Sequence, residues 1–172
     1  MEAIAVRAGV GERTLYRRFP TKGELARAVL DQSIAETLTP VIGRATRSRN
    51  PLRGLTRLIE AAIALGAREH NALTAARQGG ALTDVSVQLD AALTDLTRRA
   101  QAAGLVRADL VADDLPRMVA MLYSVLGTMD PASDGWRRYV ALMIDAISTS
   151  NPTRLPRAVP IQFTQRLQEW PI

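Results

Sequence analysis

Apolar residues recur at helical spacing along most of the chain, and no stretch alternates apolar and polar as a half-buried strand would. Ala3, Ile4 and Ala8 share one face of a first short helix. Gly9-Val10-Gly11 follows as a turn. Glycine enters the left-handed backbone region without a Cβ clash, and Val10 is expected to plug the gap between two helices. Leu15 and Phe19, four apart, give Glu12–Phe19 a buried side. Pro20 ends that helix. Thr21, with Glu24 three residues on, has the spacing of a capping box. It opens a third helix that runs to about Thr37, with Leu30, Ile34 and Leu38 on one stripe. Thr39-Pro40 is expected to break it. Pro40 to Asn50, with Arg44, Arg47 and Arg49, reads as an irregular, solvated basic connector.

Asn50-Pro51 starts the next helix, Asn as the cap and Pro in the first turn. Leu55, Ile59, Ala62, Ile63 and Gly66 mark its inner face, and the pattern stops near Glu69-His70-Asn71. A long helix from about Leu82 to Ala103 carries Leu89, Leu93 and Leu96 and stops at Gly104. After the loop Gly104–Leu110, Asp113 is expected to cap a helix from Asp114 to about Thr128, with Leu115, Met118, Val119, Leu122, Val125 and Leu126 on its apolar side. Asp130–Gly135 is rich in turn residues. Gly135–Ser148 carries the widest stripe, Trp136, Tyr139, Val140, Met143, Ile144 and Ile147. From Asn151 onward Pro152, Pro156 and Pro160 predict an extended tail that docks through Phe163, Leu167 and Trp170. The expectation is an all-α chain in three parts: a helix-turn-helix region with its connecting helix (1–38), a helical bundle domain (39–150) and a tail (151–172).

Composition narrows the chemistry. The chain has 172 residues, 47% hydrophobic and 23% charged, ordinary for a globular protein. With no cysteine it has neither a disulfide framework nor a thiolate zinc site. His70 is the single histidine, and one imidazole without partner ligands makes a poor metal site. There is no apolar run of membrane-spanning length and no secretory pattern, so a cytoplasmic protein with no membrane partner is expected. No phosphate-cradling glycine loop appears, and Asp84, Asp113 and Asp114 read better as helix caps than as acid–base groups. No catalytic residue, metal or cofactor is expected.

Charge gives the first positive indication. Residues 1–30 hold Arg7, Arg13, Arg17, Arg18, Lys22 and Arg27 against Glu2, Glu12 and Glu24, a net +3 of the chain's +5. Helix, glycine-containing turn and helix is the helix-turn-helix pattern, whose second helix enters the major groove. The outward residues of that second helix, Arg13, Thr14, Tyr16, Arg17 and Arg18, are donors or cations, and Lys22 opens the next helix. Phosphate neutralisation supplies affinity for DNA; contacts to base edges supply specificity.

The stretch AIAVRAGVGERTLYRRFPTKGELARAVL resembles the DNA-binding signature of the TetR family of bacterial transcriptional regulators. It matches at Ile4, Ala5, Ala8, Gly9, Val10, Thr14, Leu15, Tyr16, Phe19, Lys22 and Leu25. The resemblance implies phosphate contacts from Thr14, Tyr16 and Lys22, and base-edge contacts from Arg13 and Arg17. Gly11 stands where the family often has Ser or Ala, so a side-chain cap is missing there. Family members carry one more helix ahead of this signature, so the head is expected to lack its usual first helix. Ile4, Leu15, Phe19 and Leu25 would then lose cover, at roughly 1.5–3 kcal/mol for each large side chain left exposed.

GLVRADLVADDLPRMVAMLYSVLG and GWRRYVALMIDAI resemble the family's penultimate and final helices, the latter of an actinobacterial branch in particular. The resemblance implies a homodimer in which these helices pair as a four-helix bundle through Val125, Trp136, Tyr139, Val140, Met143, Ile144 and Ile147. It also implies a small apolar effector between the helices of the bundle domain, lined by Ile59, Ile63, His70, Met118, Met121 and Leu122. The expected function is a ligand-responsive regulator, a repressor released from a double-stranded DNA operator by its effector. The alternative is a truncated helical protein that dimerises or binds ligand without reading DNA.

Overall fold

The computed structural model describes residues 1–69, 83–111, 113–130 and 133–149. Over these residues the chain is all-α: α1 Glu2–Ala8, α2 Glu12–Arg18, α3 Lys22–Ser33, a π-helical turn Ile34–Leu38, α4 Thr39–Thr46, α5 Pro51–Arg68, α6 Thr83–Ala102, α7 Asp114–Leu126 and α8 Trp136–Ile147. The tail from Asn151, with Phe163, Leu167 and Trp170, and also His70, lie outside the described residues.

α5 is the axis of the body. Asn50 Oδ1 accepts the Arg53 N–H at 2.9 Å, and Pro51 fills the first turn, where no intrahelical donor is needed. Leu55, Leu58, Ile59, Ala62 and Ile63 are fully buried. Around them pack α4, α6, α7 and α8. Two glycines let neighbours come this close. A Cβ on Gly54 would lie 2.7 Å from the Ala45 carbonyl oxygen, and one on Gly66 would collide with the Tyr123 ring.

The expected break at Thr39-Pro40 is not found. The third helix continues through the π-helical turn into α4, so Pro40–Asn50 is mostly helix rather than an irregular connector. A proline inside a regular α-helix lacks a donor and collides with the carbonyl four residues back. Here the widened turn lies just before it, and Pro40 occupies the first turn of α4. Ile34 and Leu38 are buried in the body core, which holds this segment helical whatever its local preference. At the far end of α4, the Arg99 guanidinium donates to the carbonyls of Thr46 and Ser48, the latter at 2.7 Å. These carbonyls close the helix end, where intrahelical donors run out. Ser33 Oγ donates to Glu69 Oε1 at 2.8 Å and Arg68 Nη2 to Thr37 Oγ1 at 3.3 Å, tying the end of α5 to the connecting segment.

Gly104, with φ 67°, turns the chain out of α6, and the Leu105 N–H reaches back to the Ala100 carbonyl at 2.9 Å. The following loop is pinned to the end of α8: the Arg107 N–H donates to Ile147 O at 2.9 Å, and Val106 pairs with Ser148 in a single bridge. Asp113 stands at the start of α7 but makes no cap hydrogen bond. Its backbone is already helical, so its side chain does not face the free N–H groups, and Asp114 instead accepts the Val111 N–H at 2.9 Å.

The head has a core of its own. α1 buries Ala5 and α2 buries Leu15, and neither belongs to the cluster that runs from Leu30 to Ile147. Ala3, Ile4 and Ala8, the apolar set of α1, are exposed, and Ala5 is the residue that α1 buries. Val10 is 42% exposed and is no plug: the turn carries it outward.

Candidate nucleic-acid interface

The geometry of α2 begins in its turn. Gly9 adopts φ 66°, and the Val10 N–H reaches the Ala5 carbonyl at 3.1 Å, closing α1 with a left-handed cap. Gly11 is extended, and its carbonyl accepts the N–H of Thr14 at 2.9 Å and of Leu15 at 3.1 Å. No side chain caps α2, as the glycine there requires. Leu15 is buried and Phe19 half-buried. Helical geometry then turns the remaining positions outward: Arg13, Thr14, Tyr16, Arg17 and Arg18 are all exposed on this seven-residue helix. Thr21 Oγ1 accepts the Glu24 N–H at 3.1 Å, one half of the capping box, and sets exposed Lys22 at the first position of α3.

The electrostatic setting of these cations differs from that of many in the body. Arg68 pairs with Glu69, Arg98 and Arg99 with Asp95, Arg107 with Asp109 and Arg137 with Asp134. Among the described residues, Arg13, Arg17, Arg18 and Lys22 make no side-chain hydrogen bond or ion pair. A solvated guanidinium without an internal partner is free to take a phosphate or a base edge.

Most of the described residues expected to line an effector cavity are buried. Ile59 and Ile63 are fully buried, Leu122 is buried and Met118 packs against the same core. Tyr123 fills the space beside them, its ring against Gly66 and its hydroxyl donating to Ala62 O at 2.9 Å. Met121 is 61% exposed. Among the described residues, Ile59, Ile63, Met118 and Leu122 pack with the body core. Two cavities among the described residues lie elsewhere, one of about 440 Å³ beside α4 and one of about 260 Å³ beside Met129 and Trp136.

The residues expected at a dimer face differ in burial within the subunit. Trp136, Val140, Met143 and Ile147 are buried inside the subunit, because that edge of α8 packs on the body core. Ile144 is partly buried against it, and Val125 is half-buried on α7. The outward apolar residues of α7 and α8 are Met121, Leu142 at 53% exposure and Tyr139 at 39%. Tyr139 and Leu142 stand three apart on the edge opposite the buried one, a spacing visible in the sequence.

No helix among the described residues is long and apolar enough to cross a membrane. A short helix-turn-helix head thus precedes a larger helical body. Residues 1–29 match the family model described as bacterial regulatory proteins, tetR family. The fold resembles that of the TetR family transcriptional regulator PfmR from Thermus thermophilus, with 18% identity, 82% of each chain covered and a TM-score of 0.65. It also resembles a TetR transcriptional regulator from Streptomyces coelicolor, with 28% identity, 87% of each chain covered and a TM-score of 0.58. No curated protein matches the sequence. The first 29 residues thus carry the sequence signature of bacterial tetR-family regulatory proteins, and the helical body shares the fold of solved regulators of that family.

Proposed function

We propose that the protein is a homodimeric repressor whose two α2 helices read the half-sites of an operator and whose body answers to a small molecule. Arg13 and Arg17 contact base edges, Thr14, Tyr16 and Lys22 hold phosphates, and Arg18 adds to the positive field. The observation that carries this reading is the row of exposed cations and hydroxyls on α2, opposite buried Leu15. A two-fold dimer suits the reading because half-site spacing mirrors protein symmetry. Met121, Tyr139 and Leu142 are the apolar side chains available to such an interface. An effector that binds better to a state with the heads set apart lowers DNA affinity by its differential affinity for the two states.

The test is fluorescence anisotropy with the DNA flanking the protein's own gene, at stepped salt. The expected result is specific binding whose log K falls linearly with log salt, with a slope near −0.9 per phosphate neutralised. Absence of salt-sensitive binding overturns the reading and leaves a helical protein that dimerises or binds ligand only.

A further inference from the structure

The larger cavity, about 440 Å³, lies between α4, α5 and the start of α8. Its volume falls within the range of small-molecule sites. None of the residues that sequence reading assigned to an effector lines it. Its floor is apolar and built of small side chains, Ala45, Ala61 and Ala64, with the indole of Trp136 at one end. Small side chains leave a shallow, smooth surface that a flat ring covers well.

The rim is cationic. Arg44 on α4 and Arg57 on α5 both line the cavity, and both are exposed. Neither makes a side-chain hydrogen bond or ion pair among the described residues. The third cation, Arg137, is already occupied. It stacks over the Trp136 ring at 4.6 Å from the centroid, meets Asp134 at 3.4 Å and reaches Glu60 at 4.0 Å. Arg137 thereby offsets the one carboxylate on the rim, and the unanswered positive charge falls on Arg44 and Arg57. Two free guanidinium groups over an apolar floor match a compact organic anion, with its charge at the rim and its ring below.

We infer that this groove binds an aromatic carboxylate, gripped by Arg44 and Arg57. The site lies on α4, which continues directly from the head's third helix through the π-helical turn. A ligand here would therefore press on the segment that joins head to body. That regulatory consequence rests on the operator reading above; the binding does not.

Titration calorimetry on the full chain without DNA tests the binding, with 2-naphthoate as probe. Naphthalene-2-carboxamide is the uncharged control and inorganic phosphate the control without a ring. Naphthoate should bind, and both controls should bind at least about tenfold more weakly, as expected when charge-assisted hydrogen bonds or the apolar contact are removed. Arg44→Gln with Arg57→Gln should weaken naphthoate about tenfold or more while the thermal melt is unchanged, since neither side chain has an internal partner. Ala61→Leu, which fills the floor, should weaken it with both arginines intact. No binding of naphthoate, equal binding of the carboxamide or of phosphate, or an unaltered affinity in the double variant overturns the inference. Because no DNA is present, the result stands apart from the success or failure of operator binding.

Discussion

The head and the body of this protein use their residues in opposite ways. Between them α1 and α2 bury only Ala5 and Leu15, whereas α5 alone buries nine residues. Most side chains of α2 are committed to its surface, and its cations have no partners within the described residues. In the body, several arginines act as internal fasteners. Arg99 closes the end of α4, Arg68 ties α5 to the connecting segment, and Arg107 is held against Asp109 at 2.6 Å. The same residue type is structural where its donors meet carbonyls and carboxylates of the fold, and available for recognition where they meet only water. Stability should therefore be governed by the body and DNA affinity by the head.

The sharpest way to break this comparison is a pair of truncations. Leu58→Ala, in a fully buried position, should cost about 2–5 kcal/mol in denaturant unfolding. Leu15→Ala should cost less global stability yet abolish DNA binding, because Leu15 holds α2 in place. Equal losses of stability would show that head and body are not separate cores. Gly66→Ala should come next, at about 1–3 kcal/mol, because the Tyr123 ring must move to admit a Cβ. A melt unchanged from the parent would contradict the close approach of α5 and α7. The smallest effect is acid sensitivity at Asp95. A hydrogen bond from Arg98, then one from Arg99, holds its carboxyl below the usual carboxylate range. The folded value is lower than the unfolded one, so this contribution is present above the unfolded value of about 3.9 and is lost as pH falls through the folded value. Asp95→Asn should flatten that part of the acid limb in pH-dependent melts, and only slightly, since the side chain is 40% exposed.

Local patterns carried much of this architecture. Leu15 and Phe19 announced α2, Asn50-Pro51 the start of α5 and Gly104 the end of α6, since caps, turns and periodicity act over a few residues. The continuation through Pro40 was not legible, because buried Ile34 and Leu38 and a widened turn outweigh the local signal of a proline. Nor was the division of the α8 stripe. Periodicity shows that Trp136, Tyr139, Val140, Met143, Ile144 and Ile147 are apolar on one broad side, but only tertiary packing decides which edge turns inward. The cationic groove escaped as well, because Arg44, Arg57 and Arg137 come from three elements and share no sequence pattern. The outward row on α2 was readable because one short helix supplies all of it.

If α2 recognises DNA as proposed, it does so through side chains the fold does not need. Anisotropy on Arg13→Ala with Arg17→Ala, measured across salt beside the parent chain and paired with thermal melts, tests it most directly. The expected result is a loss of about 1–3 kcal/mol of operator affinity per base-edge contact removed, relaxed sequence preference and an unchanged melting temperature. A variant that binds the operator as tightly and as selectively as the parent would contradict it.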